Sequence, residues 1–167
     1  SGVDQGVFIG TVDTPYLVDS TRLNTPEGVV VDPSGNLYVT EDWGYRLLKL
    51  DANGNQDWIV GEAGVFGNDS AHLGNYWAGP EGGLALDSAG RIYVPDTGNH
   101  RIQIYNSGGT YHGTFGSYGS GNDQFQAPTG VAIHPTSGDI FIADRWNHRV
   151  QVYDSSWNYQ ATLGTTG

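Results

Sequence analysis

The sequence contains neither cysteine nor methionine. No disulfide framework and no thiolate metal site can form, so stability has to come from packing. Basic residues are scarce: seven Lys and Arg stand against eighteen Asp and Glu, a net charge of −11. Such a surface repels phosphate backbones and anionic lipid headgroups. We therefore expect no nucleic-acid partner and no membrane partner, and a bias towards cations or basic partners. No apolar run approaches the length of a membrane-spanning helix. No window of helical length keeps a 3.6-residue apolar period, so long amphipathic helices are not expected either. An initiator Met is also missing at Ser1, which we read as a processed or excised chain.

What is present is glycine, aromatics and repetition. The 167 residues suffice for one domain with a real core, and include 26 Gly, 10 Tyr and 5 Trp. "TGNHRIQIY" begins at Thr97 and "RWNHRVQVY" at Arg145. A catalytic motif need occur only once, whereas a returning phrase marks a structural unit. Three copies align, starting at Pro26, Pro80 and Pro128. The second start lags because of a long loop, "GEAGVFGNDSAHLGNYWAG", at residues 61–79. Its "NDS" is a possible glycosylation acceptor in a secreted eukaryotic setting.

Each copy reads as four short strands. In the first copy they are "GVVVD", "LYVT", "RLLKL" and "DWIVG", separated by Gly-containing or polar turns. The second strand is apolar almost throughout, as expected where both faces are buried. Four strands in a period of about 40–50 residues make one propeller blade. We therefore expect an all-β protein with three four-stranded antiparallel blades at about residues 27–61, 81–116 and 129–164. The boundaries are 26–79, 80–127 and 128–167, and residues 1–25 form a spare outer strand and connector of a preceding blade.

The pattern of Pro-x-Gly before the first strand, then Asp-x-x-Asn-His-Arg before the third, resembles the NHL-repeat family of β-propellers. The resemblance covers residues 26–164. The first copy departs from it: Glu41 stands for Asp96 and Asp144, and Gly44-Tyr45 replaces Asn-His. The family implies a ring of usually six blades with first strands at the axis. We expect Asp96, Asn99, His100, Arg101 and their equivalents Asp144, Asn147, His148 and Arg149 to be structural. Asn should take a left-handed backbone, while His and Arg pair with the upstream Asp.

In such blades the turns between second and third strands share one face with the blade connections. That face should collect Trp43, Tyr45, Tyr76, Trp77, His100, Tyr118, Trp146 and His148. Flat rings beside amides and carboxylates suit a peptide or carbohydrate ligand. Glu27 and Glu81 follow the prolines that open two first strands, and converging carboxylates of this kind could hold Ca²⁺. Thr129 interrupts that pattern. "DANGNQDWIVGE" (51–62) resembles a calcium loop, but its Gly is misplaced and the repeat makes it a turn plus a strand. No nucleophile or zinc-protease motif occurs.

Three blades leave two apolar flanks uncovered. The expectation is self-association, a two-fold six-bladed ring being the simplest closed form, or blades supplied by a longer chain. The spare strand "QGVFIGTV" (5–12), with Val7 and Ile9 on one side and Phe8 on the other, would add an edge at the interface. We read the chain as a non-enzymatic module for binding or self-assembly, placed outside the cell or in the periplasm, and without a required cofactor. The alternative is a metal-dependent propeller hydrolase or lyase with an axial acidic site.

Overall fold

The computed structural model describes residues 23–164. The segment 5–12, with Val7, Phe8 and Ile9, lies outside the described residues.

Blade 1 comprises β1 (Pro26–Val31), β2 (Leu37–Glu41), β3 (Arg46–Leu50) and β4 (Gln56–Val60). Blade 2 comprises β5 (Ala85–Leu86), β6 (Ile92–Asp96), β7 (Arg101–Tyr105) and β8 (Tyr111–Phe115). A small parallel pair, β9 (Ser117–Tyr118) and β10 (Gln124–Phe125), forms the connection to blade 3. Blade 3 comprises β11 (Pro128–Ile133), β12 (Ile140–Asp144), β13 (Arg149–Tyr153) and β14 (Tyr159–Leu163). Each blade is an antiparallel meander in chain order. The only helical turns among the described residues are single 3-10 turns at Thr97–Asn99 and Arg145–Asn147.

The hairpin turns have a common cause. Asp32 Oδ1 accepts the amides of Ser34 and Asn36, both at 2.9 Å. Asp51, Asp87 and Asp154 close their own turns in the same way. A short side-chain acceptor that bends its own backbone favours a turn over strand continuation. In blade 3 His134 replaces the aspartate, and its Nδ1 accepts from Thr136 and Ser137 at 3.3 and 3.1 Å.

Two apolar cores lie between the blades. Tyr38 and Leu47 of blade 1 meet Leu84, Ile92, Val94 and Tyr105 of blade 2. Tyr93, Ile102 and Ile104 of blade 2 meet Val131, Ile140, Ile142 and Tyr153 of blade 3. Because strand side chains alternate, one face of blade 2 serves each core. This is why β6 is buried at every position.

One local difference from the repeat stands out. Blade 2 carries an extra glycine, Gly82-Gly83, and its first strand shrinks to two residues. Gly83 turns sideways instead, donating to Thr129 O and accepting from Val131 N at 3.1 and 2.9 Å. Gly82 has φ +79, and a Cβ there would fall 1.7 Å from Thr129 O. Only glycine permits that approach.

Candidate functional site

The repeated motif is a clamp on the loop that enters its own blade. Asp96 ends β6, fully buried, and accepts the amide of Gly74 at 2.6 Å. Arg101, at the start of β7, meets Asp96 Oδ2 at 2.7 Å and donates onward to Asn68 O and Asp69 O. Asn99 donates to Gly67 O and Gly74 O, and Gln103 to Asp69 O and His72 O. Blade 3 repeats the arrangement. Asp144 accepts from Gln126 N, Asn147 donates to Gly119 O, and Arg149 donates to Ser120 O, Gly121 O and Gln124 O. Burial pushes the Asp96 carboxyl up, and Arg101 opposes it. A buried carboxylate is tolerable only with such a full set of donors. In blade 1 the motif is altered but works alike: Glu41 accepts Asn24 N at 2.6 Å and meets Arg46 at 2.5 Å.

The histidines correct the sequence expectation. The left-handed residue is His100 (φ 59) and His148 (φ 54), with Tyr45 (φ 54) in blade 1, not the preceding Asn. Asn99 and Asn147 are held in the clamp by side-chain bonds to Asp96 and Asp144, so the αL step falls one residue later. Neither histidine pairs with the upstream Asp. His100 Nδ1 accepts the amide of Ala127 at 3.0 Å, just before β11 of the next blade. His148 is exposed, and its ring makes no hydrogen bond among the described residues.

The predicted aromatic face assembles in part. Trp77 stacks on Trp146 with centroids 5.1 Å apart and planes 15° apart. His100 lies 5.7 Å from Trp77 and 4.9 Å from Tyr118. Trp146, Trp77, His100 and Tyr118 thus form one continuous run across blades 2 and 3, with Trp146 50% and Tyr118 64% exposed. The motif also makes room for the backbone of the loop that carries Trp77. Where Trp43 and Trp146 stand, blade 2 has Gly98, whose Cβ would lie 2.2 Å from Ala78 O. Trp43 and Tyr76 are exposed but make no ring contact among the described residues. Tyr45 does not belong to the face. It is buried, packed edge-on against Phe66 at 5.6 Å.

Glu81 is half-buried and Glu27 exposed. Burial raises the Glu81 carboxyl, and the Asp42 and Glu27 charges add to that. Arg145 opposes the shift, with Nη1 at 3.3 Å from Glu81 Oε2. Sequence reasoning missed this ion pair, because repeat position says nothing about cross-blade reach. No group of three metal-ligating side chains converges among the described residues. Asp51 of the calcium-like stretch is occupied by its own turn, and β4 follows at once.

A second concavity, about 500 Å³, opens at the opposite strand ends. Asp87, Arg91, Tyr93, His134, Ser137 and Ser155 contribute to its walls. Arg91 is held there by Asp87 at 2.5 Å.

Three stacked four-stranded meanders, tied by motif clamps at each connection, define a β-propeller. The NHL repeat family matches two stretches of the chain, residues 82–105 in blade 2 and 125–153 in blade 3 and its approach. A curated relative is NHL repeat-containing protein 3 of Homo sapiens, 31% identical over 87 residues, which are 50% of this chain and 23% of that protein. The chain thus spans about a quarter of that relative's length. Among solved structures, virginiamycin B lyase from Staphylococcus aureus superposes with TM-score 0.60 at 14% identity, over 86% of this chain and 42% of that one. A chain of the nidogen/laminin complex gives TM-score 0.60 at 20% identity, over 88% and 50%. At these identities the likeness is one of fold.

Proposed function

We propose that this chain is a non-enzymatic binding module, three blades of a propeller ring that offers an aromatic face to a peptide or carbohydrate. The observation that carries this reading is the Trp146–Trp77–His100–Tyr118 run. The inner members are held by the blade junction, yet the two ends present half or more of their surface to solvent. A rigid, partly exposed aromatic platform loses little entropy on binding and suits the apolar face of a sugar ring or peptide side chain. The carboxylates Glu81 and Asp42 offer acceptors for a ligand's hydroxyl or amide groups. The ring is completed from outside these three blades.

A Ca²⁺ site at Glu27 and Glu81 is not part of this proposal. Arg145 compensates Glu81 and would repel a cation there. The lyase alternative rests on fold likeness alone, which does not transfer chemistry.

The test is a titration of the protein with panels of soluble oligosaccharides and short basic and neutral peptides, followed by tryptophan fluorescence. We expect a saturable change from at least one class, weakened about tenfold or more in Trp146→Ala. Equal responses from Trp146→Ala and the parent would refute the platform as the site.

A further inference from the structure

Resting on the reading that the ring is completed from outside, we infer that the cover is a second copy of this chain, docked head to tail. The repeats supply an internal control for every position on the two outer flanks, because matched residues occupy equivalent strand positions in blades that do have a neighbour.

On the flank that precedes blade 1, Leu23, Val29 and Val31 are 39%, 61% and 57% exposed. The strand registers match Val29 to Leu84 and Val131, and Val31 to Leu86 and Ile133. Leu84 and Val131 are 6% and 7% exposed, covered by the blade before them. Leu23 stands three residues before Pro26 as Phe125 does before Pro128, and Phe125 is wholly buried. Farther out on this flank Val39 and Leu48 are already buried, so the bare part is the inner strand and its approach.

On the flank that follows blade 3 the same holds. Ala132 is exposed, Leu163 is 53% exposed, and Phe141, Val150 and Val152 are only half-buried. Their blade 2 equivalents Ala85, Tyr93, Ile102 and Ile104 are at most 8% exposed, covered by blade 3. Leu163 corresponds to Phe115, which packs on Tyr153 and Trp157 across that junction.

The polar part of the junction is duplicated too. His100 takes the amide of Ala127, whose φ is 52. On the two outer flanks stand an exposed His148 and Thr25, which has φ 51 and an amide with no partner among the described residues. The outer flanks of blades 1 and 3 therefore carry the two halves of the blade 2–blade 3 junction. Two unlike complementary surfaces on one molecule pair heterologously, and such pairing closes when the rotation allows. The propeller chains that superpose on this one are covered to 42% and 50% of their length. One copy thus matches about half of such a chain, so two copies supply the blades of a ring of that size.

The experiment is light scattering on the intact chain and on two double variants. Val29→Asp with Val31→Asp blocks the preceding flank, and Ala132→Asp with Leu163→Asp blocks the following one. All four side chains are exposed, so the substitutions leave the blades folded, which circular dichroism verifies. We expect the parent at twice the chain mass at micromolar concentration. Each variant alone should be monomeric, its association weakened about a hundredfold or more by the buried carboxylates. An equimolar mixture should give a dimer, because one intact junction remains between unlike flanks. A monomeric parent, a variant that dimerises alone, or a mixture that stays monomeric overturns the proposal. The ligand titration run on the monomeric variants separates the two readings. A retained Trp146-dependent response with a monomeric parent sinks only the second copy. A dimer without that response sinks only the platform.

Discussion

His100 Nδ1 accepts the Ala127 amide at 3.0 Å and so ties blade 2 to blade 3, while its repeat equivalent His148 lies exposed. Both residues sit in the left-handed region, so His→Ala imposes the same backbone cost at each. The difference between the two substitutions reads the side chain alone. His100→Ala should cost about 1–2 kcal/mol more than His148→Ala, because it leaves a half-buried amide unpaired. In a domain of this size that is a melting temperature lower by about 2–8 °C. Equal losses, measured by thermal unfolding at dilute concentration, would show that the ring of His100 does not hold the junction.

The same bond makes the junction acid-sensitive. An imidazole that accepts a proton at Nδ1 through a hydrogen bond cannot also be protonated there. Burial lowers the His100 pKa below its ordinary 6.5, against the pull of the Asp96 and Asp144 carboxylates. The unfolded chain therefore takes up the proton first as pH falls. The contribution is complete well above pH 6.5 and is lost progressively below it. Melting temperature should decline between about pH 7 and pH 5.5 more steeply in the parent than in His100→Ala. Parallel slopes would argue that His100 does not couple folding to pH.

Asp96→Ala tests the clamp. It would leave Arg101, 14% exposed at its side chain, without its carboxylate and the Gly74 amide without an acceptor. Removing one partner of a buried pair costs about 3–5 kcal/mol. We expect a large fall in the urea midpoint of unfolding. A loss under about 1 kcal/mol would mean that the backbone carbonyls at Asn68 and Asp69 hold Arg101 by themselves.

Gly82→Ala should damage the blade 2–blade 3 contact. The added Cβ meets Thr129 O at 1.7 Å, at a φ of +79 that an L residue rarely adopts. The combined strain is at least about 2 kcal/mol. Gly83→Ala next to it meets nothing within 4 Å and provides the comparison. Similar stability for the two variants, measured by denaturant titration, would contradict the close approach.

The repeat carried most of the fold. Period, alternation and turn residues recur in three copies, and each copy must solve the same local problem, so the blades are legible in the sequence alone. A polar network at the turn is legible as well, because Asp, Asn and Arg recur at fixed offsets. Its object is not: in blade 2 the clamp reaches the loop before the blade, 22 to 34 residues away, and spacing alone does not say which carbonyls will be near. For the same reason the sequence points to Asn for the left-handed step, although its side chain is committed to the clamp. The aromatic face was legible as a set of rings on turns. Tyr45 was misplaced because position in a turn does not reveal whether a long loop folds over it, as Phe66 does here.

The sequence by itself determined the all-β class, the three repeats, their strand order and the missing cysteine chemistry. These follow from local rules that act within a few residues. Tertiary structure decided which rings stack, that Arg145 reaches Glu81, that His100 is tied to Ala127 while His148 is exposed, and which faces lie bare. Those outcomes depend on what stands opposite a side chain in space, and the same residue at the same repeat position is buried or exposed according to whether another blade covers it.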